Sequence, residues 1–455
     1  MPVARSVLRV FTLQQVLDSA VAHYPALDAA RARVRAARGT RTTAGALGNP
    51  VLAYQVDNTA FPGGASPAGM EREAMTTATL PLAPFYQRGV RVRQADAVVR
   101  AAEADARSAR QRVALDAARA YYRVAVAQVG ADAAQNLTQW LDSVVAYNRT
   151  RVGQGVTAEA DLIRSQLERD RAVADAGMNA ADLARARADL SAFLGDPEVV
   201  GTDFVIALDD APLAGPATLV FARADVARPT DGPPSPRAIG VAMSTAVDRR
   251  PDVRAARERL TAAGAGAALE QRMIIRELGA TLGVKRSGGT NSLIAGVSLP
   301  LPVFDQNRGE RARAQGERDA AAFDVATQER AARADVLGAR EAARILTERA
   351  AVLTRRESAG RGPAYLTRAD EARAIALGAY REGAVSLLQV LDAARAWGEA
   401  RVAYYRTLYA QHEAVLALLV AEGDDLATTL PRVGSASSAA RTLPTVPPSL
   451  GAPLR

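Results

Sequence analysis

The sequence predicts a mainly α-helical protein carrying a small membrane β-barrel, built from a duplicated unit of helix, β-hairpin and long helical hairpin. Three observations lead there. A strand-to-helix stretch occurs twice, as TLPLAPFYQRG over Thr79–Gly89 and as SLPLPVFDQNRG over Ser298–Gly309. Two further stretches recur around it in the same order: YPALDAARARVRAA (Tyr24–Ala37) with RPDVRAARERLTAA (Arg250–Ala263), and GVTAEADLIRSQ (Gly155–Gln166) with GAVSLLQVLDAA (Gly383–Ala394). The separations are 226 residues from Pro25 to Pro251, 219 from Pro81 to Pro300 and 228 from Gly155 to Gly383. Paired anchors in constant order mean internal repetition, with the second copy shortened between its first two anchors. Finally, four segments alternate apolar and small polar residues with period two, and long helical runs separate them.

A length of 455 residues usually means two or three domains, but the repetition argues for one architecture made of two halves. Residues 1–47 hold the N-terminal stretch and the first-repeat helix. Thr12 is its N-cap, with Gln15 completing a capping box, and Leu13, Val16, Leu17 and Ala20 recur at helical spacing. The helix is expected to bend at Pro25 and to run to about Leu47, where Gly48-Asn49-Pro50 breaks it. Residues 48–84 form a first hairpin of strands Val51–Asn58 and Met75–Leu82 around a Pro- and Gly-rich loop. Leu52, Tyr54 and Val56 share one face, with Ala53, Gln55 and Asp57 on the other; Ala78, Leu80 and Leu82 likewise oppose Thr77, Thr79 and Pro81. Pro81 and Pro84 stop the strand, and Gly89 opens the helical run that follows.

Residues 85–195 form the first long helical hairpin, for no proline lies between Pro84 and Pro197. Arg91–Arg149 alone would span ~89 Å as a helix. Val113, Ala117, Tyr121 and Val124 recur at spacings of three and four, Gly153 and Gly155 mark a turn, and a second helix returns from about Ala158 to Leu194. A hairpin of that length reads as coiled coil. Residues 196–237 hold seven prolines and read as an irregular linker between the halves. The second copy follows: helix 238–275; hairpin 276–302, with strands Leu278–Lys285 and Ser292–Leu301 around a turn at Ser287–Asn291; and helical hairpin 303–425. In the latter, helices run from Arg308 to about Glu357, from Ala364 to Tyr380, and from the turn at Gly383 to near Gly423. Leu278, Ala280, Leu282 and Val284 face one way, Gly279, Thr281, Gly283 and Lys285 the other. Pro300, Pro302 and Gly309 are the counterparts of Pro81, Pro84 and Gly89. Residues 426–455, with five prolines, read as a disordered tail.

Strands with one apolar face and one small polar face, at close to the ~9–11 residues a spanning strand needs, read as barrel wall with lipid outside and water inside. A two-stranded hairpin leaves its edges unpaired, and four strands per chain cannot close a barrel. Closure requires several chains. The sequence therefore points to an oligomeric barrel continued by a coiled-coil tube.

The net charge of +8 does not imply a nucleic-acid partner. Arginines are interleaved with acids at helical spacing, as in Glu103 with Arg107, Glu341 with Arg344 and Glu357 with Arg361, which is the pattern of solvated helix faces. Cysteine is absent, which excludes disulfides and thiolate metal sites within these residues, and a lipidated N-terminal Cys is not expected. No apolar run reaches the ~18 residues of a transmembrane helix. Met1–Phe11 is charged and lacks the apolar run of about 7–15 residues that marks a secretory signal, so the N-terminus is expected to be incomplete.

The strand-to-helix signature, the proline in each first helix, the glycine turns and the duplication resemble the outer membrane efflux protein family, the TolC-like channels. The resemblance covers about residues 11–425, and within the family the chain is most similar to the CzcC/CusC-like outer membrane factors of heavy-metal efflux. It implies a homotrimer sharing one twelve-stranded β-barrel in outer membrane lipid, above an α-helical barrel in the periplasm, with an equatorial domain from the linker and chain ends. It further implies the exit duct of a tripartite system, with an inner-membrane pump of RND type and a periplasmic adaptor. The tip turns would be the adaptor-docking surface: Arg151, Val152, Gly153, Gly155 and Val156 in one, and Arg381, Gly383 and Val385 in the other. In the family, acidic residues after the second tip narrow the closed pore. Alignment on Gly383 puts Gln389 and Asp392 there, so one of the two has lost its charge. The outer channel of a protein-export or drug-efflux system, or a coiled-coil scaffold of the cell envelope, are the alternative readings.

Residues with other chemistry read as structural. His412 lies on an apolar stripe with Val402, Tyr405, Tyr409, Leu416 and Leu419, and His23 precedes a helix bend. The six Met residues form no MxxM-like relay, and Gly264-Ala265-Gly266 lacks the preceding strand of a dinucleotide site. No catalytic constellation, cofactor site or metal site can be assembled, so an enzyme is not expected.

Overall fold

A computed structural model describes residues 9–59, 72–195, 204–208, 236–273, 278–356 and 363–429. The linker and tail readings, the first hairpin loop and the Glu357–Arg361 pair lie wholly or largely outside these residues. In chain order the elements are β1 (Arg9–Phe11), α1 (Leu13–His23), α2 (Pro25–Gly45), β2 (Val51–Asp57), β3 (Glu73–Pro81), α3 (Ala83–Gly153), α4 (Glu159–Leu194) and β4 (Phe204–Ile206). The second half supplies α5 (Pro236–Arg249), α6 (Pro251–Arg272), β5 (Gly279–Ser287), β6 (Thr290–Ser298), α7 (Arg308–Leu353), α8 (Ala364–Arg381), α9 (Leu387–Ala421) and α10 (Leu426–Thr429).

Each first-repeat helix is two helices rather than one bent helix. Tyr24 and Arg250 hold extended backbone before Pro25 and Pro251, which open α2 and α6 at N1. Proline restricts the residue before it to extended conformations but fits the first helical turn, where its missing N–H leaves no bond unmade. The same tolerance moves the start of α3 from the expected Arg91 region back to Ala83, with Pro84 in its first turn. Its 71 residues reach about 107 Å at 1.5 Å per residue. In the second copy Pro300 and Pro302 lie outside the helix, and α7 begins at Arg308.

α3 is the spine. Near the sheet it packs against α2 and α6, and farther down against α4 and α9; α7 lies against α6 and α9. The main core gathers at mid-height, where Val16 and Leu17 of α1, Val113–Ala125 of α3, Leu190 of α4, Phe204 and Ile206 of β4, and Tyr404–Leu419 of α9 meet. Leu17, Val124 and Leu416 are fully buried, and truncating Leu17 or Leu416 to Ala would cost about 2–5 kcal/mol. His412 is buried among the Tyr122 and Tyr409 rings, at 5.4 and 5.6 Å.

One short sheet at this level was not expected: β1 runs parallel to β4, in register from Arg9–Phe204 to Phe11–Ile206. Phe11 stacks edge-on against Phe204 at 5.5 Å, the Tyr121 hydroxyl donates to the Ala207 carbonyl at 2.5 Å, and the Ile206 N–H donates to the Gln128 side chain. This sheet fastens both chain segments to the middle of α3.

The four long strands form a single sheet in the order β2-β3-β5-β6, every neighbour antiparallel. Two hairpins, one from each repeat, thus join through β3 and β5. Gly288 and Gly289 close the second hairpin with φ of 55° and 82°, the geometry of a tight two-residue turn. The predicted start at Val51 holds and the other strand ends shift by one to three residues; Leu299–Leu301 in particular lie beyond β6. Glu341 pairs with Arg344 as expected, whereas Glu103 pairs across helices with Arg38 at 2.7 Å, not with Arg107.

Candidate functional site

Three places carry the chemistry expected of the chain: the sheet, the strand-to-helix junctions and the helical tips. In the sheet, directly paired residues share a face, so the register sorts the side chains. Leu52, Ala78, Leu282 and Ala295 form one rung, Tyr54, Thr76, Val284 and Leu293 the next, and Leu80, Ala280 and Val297 a third. Leu52, Tyr54, Leu282, Leu293 and Val297 of this face are more than half exposed. The opposite face carries Thr77 with Gly283 and Thr79 with Thr281, whose hydroxyls hydrogen-bond at 2.9 Å. Among the described residues, β2 and β6 each have one edge without a partner strand. A sheet with bare edges and a broad exposed apolar face needs both more strands and an apolar medium to be stable.

At the junctions one side chain of each signature, Asn307 in one copy and Arg88 in the other, reaches the end of the preceding helix. Gln87 and Asn307 are both buried, at 0% and 2% exposure. The Asn307 amide donates to the Glu270 carbonyl and carboxylate, each at 2.9 Å, reaching the last turn of α6. In the first copy Arg88 does this work, its guanidinium donating to the Gly45 carbonyl of α2 at 2.7 Å. Carbonyls at a helix end have no intrahelical donor, and both repeats satisfy one with a side chain from the start of the next long helix. Pro81 ends β3, Pro84 sits in the first turn of α3, and the Leu82 N–H donates across to the Leu278 carbonyl at 2.6 Å. Gly89 and Gly309 lie inside their helices, while Pro300 and Pro302 occupy the irregular stretch before α7.

At the tips Gly155 and Gly383 hold φ of 69° and 78°. The Gly155 N–H donates to the Val152 carbonyl and the Val156 N–H to that of Arg151; Gly383 and Ala384 repeat the pattern on Tyr380 and Ala379. This paired closure needs a left-handed residue at its centre, which only glycine adopts without strain. Beneath the turns, Leu141, Val144, Ala172, Tyr380, Leu387, Val390 and Leu391 knit the two hairpins together. The Tyr380 hydroxyl donates to buried Asn148 at 2.7 Å, and Arg151 lies over both Tyr147 and Tyr380 at 5.6 and 5.9 Å. Val156 is 61% exposed, whereas Val385 packs on this cluster. Arg151 and Val152 are partly buried; Gly153 and Arg381 are exposed.

Gln389 and Asp392 lie on the exposed side of α9. Gln389 is the N3 residue of a capping box: its side-chain Oε1 accepts from the Ser386 N–H at 3.1 Å. The Asp392 carboxylate is 61% exposed and 3.5 Å from Arg395, whose guanidinium also pairs with Glu168 of α4. Sequence reasoning missed a second charged cluster at the α5–α6 break. There Arg250 pairs with Asp252 at 2.7 Å and with Asp335 of α7 at 3.0 Å, and Gln328 donates to Asp252 at 2.9 Å. Burial pushes the Asp252 carboxyl up, but Arg250, the Val253 N–H and Gln328 outweigh it and hold the group below its ordinary value. The RPD tripeptide was the available signal. Among the described residues, no group of three or more His, Cys, Asp or Glu is placed to hold a metal ion, and no helix is long and apolar enough to cross a membrane.

A family model described as "Outer membrane efflux protein" matches residues 16–196 and 242–424, which is both repeats without the linker between them. The chain belongs to the outer membrane efflux protein family. Its fold is that of solved members of this kind. The outer-membrane channel OprN is 21% identical with a TM-score of 0.70, covering 90% of this chain and 89% of that one. CusC, solved in studies of folding and transmembrane channel formation, is 17% identical with a TM-score of 0.71, covering 93% and 95%. The CmeC outer membrane channel of Campylobacter jejuni is 16% identical with a TM-score of 0.72, covering 91% and 86%. A sequence comparison with curated proteins returned no match. Family membership makes the chain an outer membrane efflux channel.

Proposed function

We propose that this protein is the exit duct of a tripartite efflux system, working as a homotrimer whose three sheets close one twelve-stranded barrel. The observation that carries this reading is the four-stranded sheet with a bare edge on β2 and another on β6. Unpaired N–H and C=O groups in lipid cost several kcal/mol each, and joining β6 of one chain to β2 of the next removes them. The small polar face then lines the lumen, and the helices continue the tube into the periplasm. Residues 48–84 and 276–302 serve as the barrel segments and 85–195 and 303–425 as the tube, joined through 196–237.

In this reading the tips around Gly155 and Gly383 dock a periplasmic adaptor, which links the duct to an inner-membrane pump of the RND type. Heavy-metal cations are the proposed cargo, and the pump selects them. The pore constriction falls at Asp392, because the Gln389 amide is committed to its helix cap. The test is a deletion strain complemented with the cloned gene and challenged with metal salts, hydrophobic drugs and a secreted-protein reporter. Restored tolerance to metal salts alone supports the cargo assignment. Restored drug tolerance or protein secretion without any metal effect overturns it.

A further inference from the structure

Formal charge on the polar face of the sheet is confined to the end farthest from the helices. From the junction outward, the rungs read Pro81, Gly279 and Ser298; Val51, Thr79, Thr281 and Gly296; then Ala53, Thr77, Gly283 and Ile294. None of these is charged. The last two rungs hold Gln55, Met75, Lys285 and Ser292, and then Asp57, Glu73, Ser287 and Thr290. Arg286 belongs to the opposite face, in register with Ala74.

Lys285 is the only lysine in a chain with 57 basic residues. Its ammonium lies 2.5 Å from the Glu73 carboxylate, with the two side chains 38% and 26% exposed. The Ser287 hydroxyl donates to the other Glu73 oxygen at 3.0 Å. Asp57 sits directly opposite Glu73 on the neighbouring strand, and its carboxylate accepts from the Gln55 amide at 2.9 Å. Two carboxylates in one rung repel each other. Lys285 neutralises one of them and leaves the other, so these three groups together carry one net negative charge per chain.

We propose that Asp57, Glu73 and Lys285 form the ion-selecting collar of the outer mouth, a cation-preferring ring whose strength Lys285 limits. This rests on the barrel reading above, which puts the polar face in the lumen and repeats the cluster in every protomer. The collar follows from charge count. Removing Lys285 doubles the net negative charge of each chain's cluster, removing Glu73 or Asp57 abolishes it, and removing Glu73 and Lys285 together restores the original value. A pair that only stapled β3 to β5 would show none of this order, and an exposed ion pair contributes little to stability in any case. An ammonium suits the role, as a compact point charge on a flexible stem that keeps donors free for water while it touches the carboxylate.

The experiment uses full-length protein in planar lipid bilayers, with reversal potentials measured across a potassium chloride gradient. The wild type is expected to prefer cations, Lys285→Gln to shift further toward the potassium potential, and Glu73→Gln and Asp57→Asn to shift toward chloride. Glu73→Gln/Lys285→Gln should return to the wild-type value. A membrane-impermeant amine-acylating reagent should move the wild type as Lys285→Gln does and leave the Lys285→Gln channel unchanged. Conducting channels whose reversal potentials ignore all of these changes overturn the collar alone. A wild type that forms no channels overturns the barrel reading and the collar with it.

Discussion

Asn307 combines two demands that few side chains meet together. Its backbone is left-handed, with φ of 59°, and its amide is buried against the last turn of α6. Asn307→Ala should lose about 1–3 kcal/mol for the unpaired buried groups it leaves, with added strain from the backbone. Asn307→Gly keeps the backbone relaxed and isolates the hydrogen bonds. Chemical unfolding of the purified protein should rank wild type above Asn307→Gly and Asn307→Ala; a glycine variant as stable as wild type would mean the amide holds nothing. Asp252 gives a pH signature. Its carboxyl is held below the ordinary value, so the stability it contributes is present above about pH 4 and is lost as pH falls through the depressed folded value. Melting temperature between pH 6 and 3 should fall more steeply for wild type than for Asp252→Asn; parallel curves would contradict that assignment. The sequence displayed both copies of the amide-Arg-Gly signature but not that both amides are buried; the contact that buries Asn307 is with Glu270, at a helix end 37 residues away.

At the scale of the element, the strands were legible and the short pieces were not. Period-two alternation sorts Thr77–Pro81 of β3 and Gly279–Lys285 of β5 onto the two faces that the register gives them, since a one-residue slip would invert the whole pattern. β1 and β4 have three residues each, too few to show a period, and their pairing depends on packing against Tyr121 and Gln128. The break before α6 was missed because Arg250-Pro251 sits within continuous helical spacing. The faces can be tested directly. Leu282→Arg, on the face proposed to meet lipid, should cost about 2–4 kcal/mol and lower the temperature at which the assembly dissociates. Thr281→Arg, on the other face, should assemble normally and change conductance; equal damage from both would mean the facing is wrong. The tips call for a different probe. Val156 is exposed while Val385 packs on the cluster around Tyr380, so Val156→Asp is the cleaner test of docking. It should leave intact assemblies in the membrane and abolish efflux; full efflux would reduce the tips to hairpin ends.

For the whole molecule, the duplication made the architecture readable, because two copies of one pattern reveal which features the fold needs. Pro25 with Pro251, and Gly155 with Gly383, occupy matching places in the structure. Closure was not readable as geometry, since it depends on bonds between chains. The sheet ends in bare edges on β2 and β6, and everything proposed about barrel, lumen and collar depends on those edges meeting. The chain has no cysteine, which makes the meeting directly measurable. One cysteine is placed along Val51–Asp57 and one along Thr290–Ser298, and membranes carrying each pair are oxidised. Some registers should give covalent dimers and trimers and nothing larger. Monomers at every register, or a ladder that continues past three, would contradict closure.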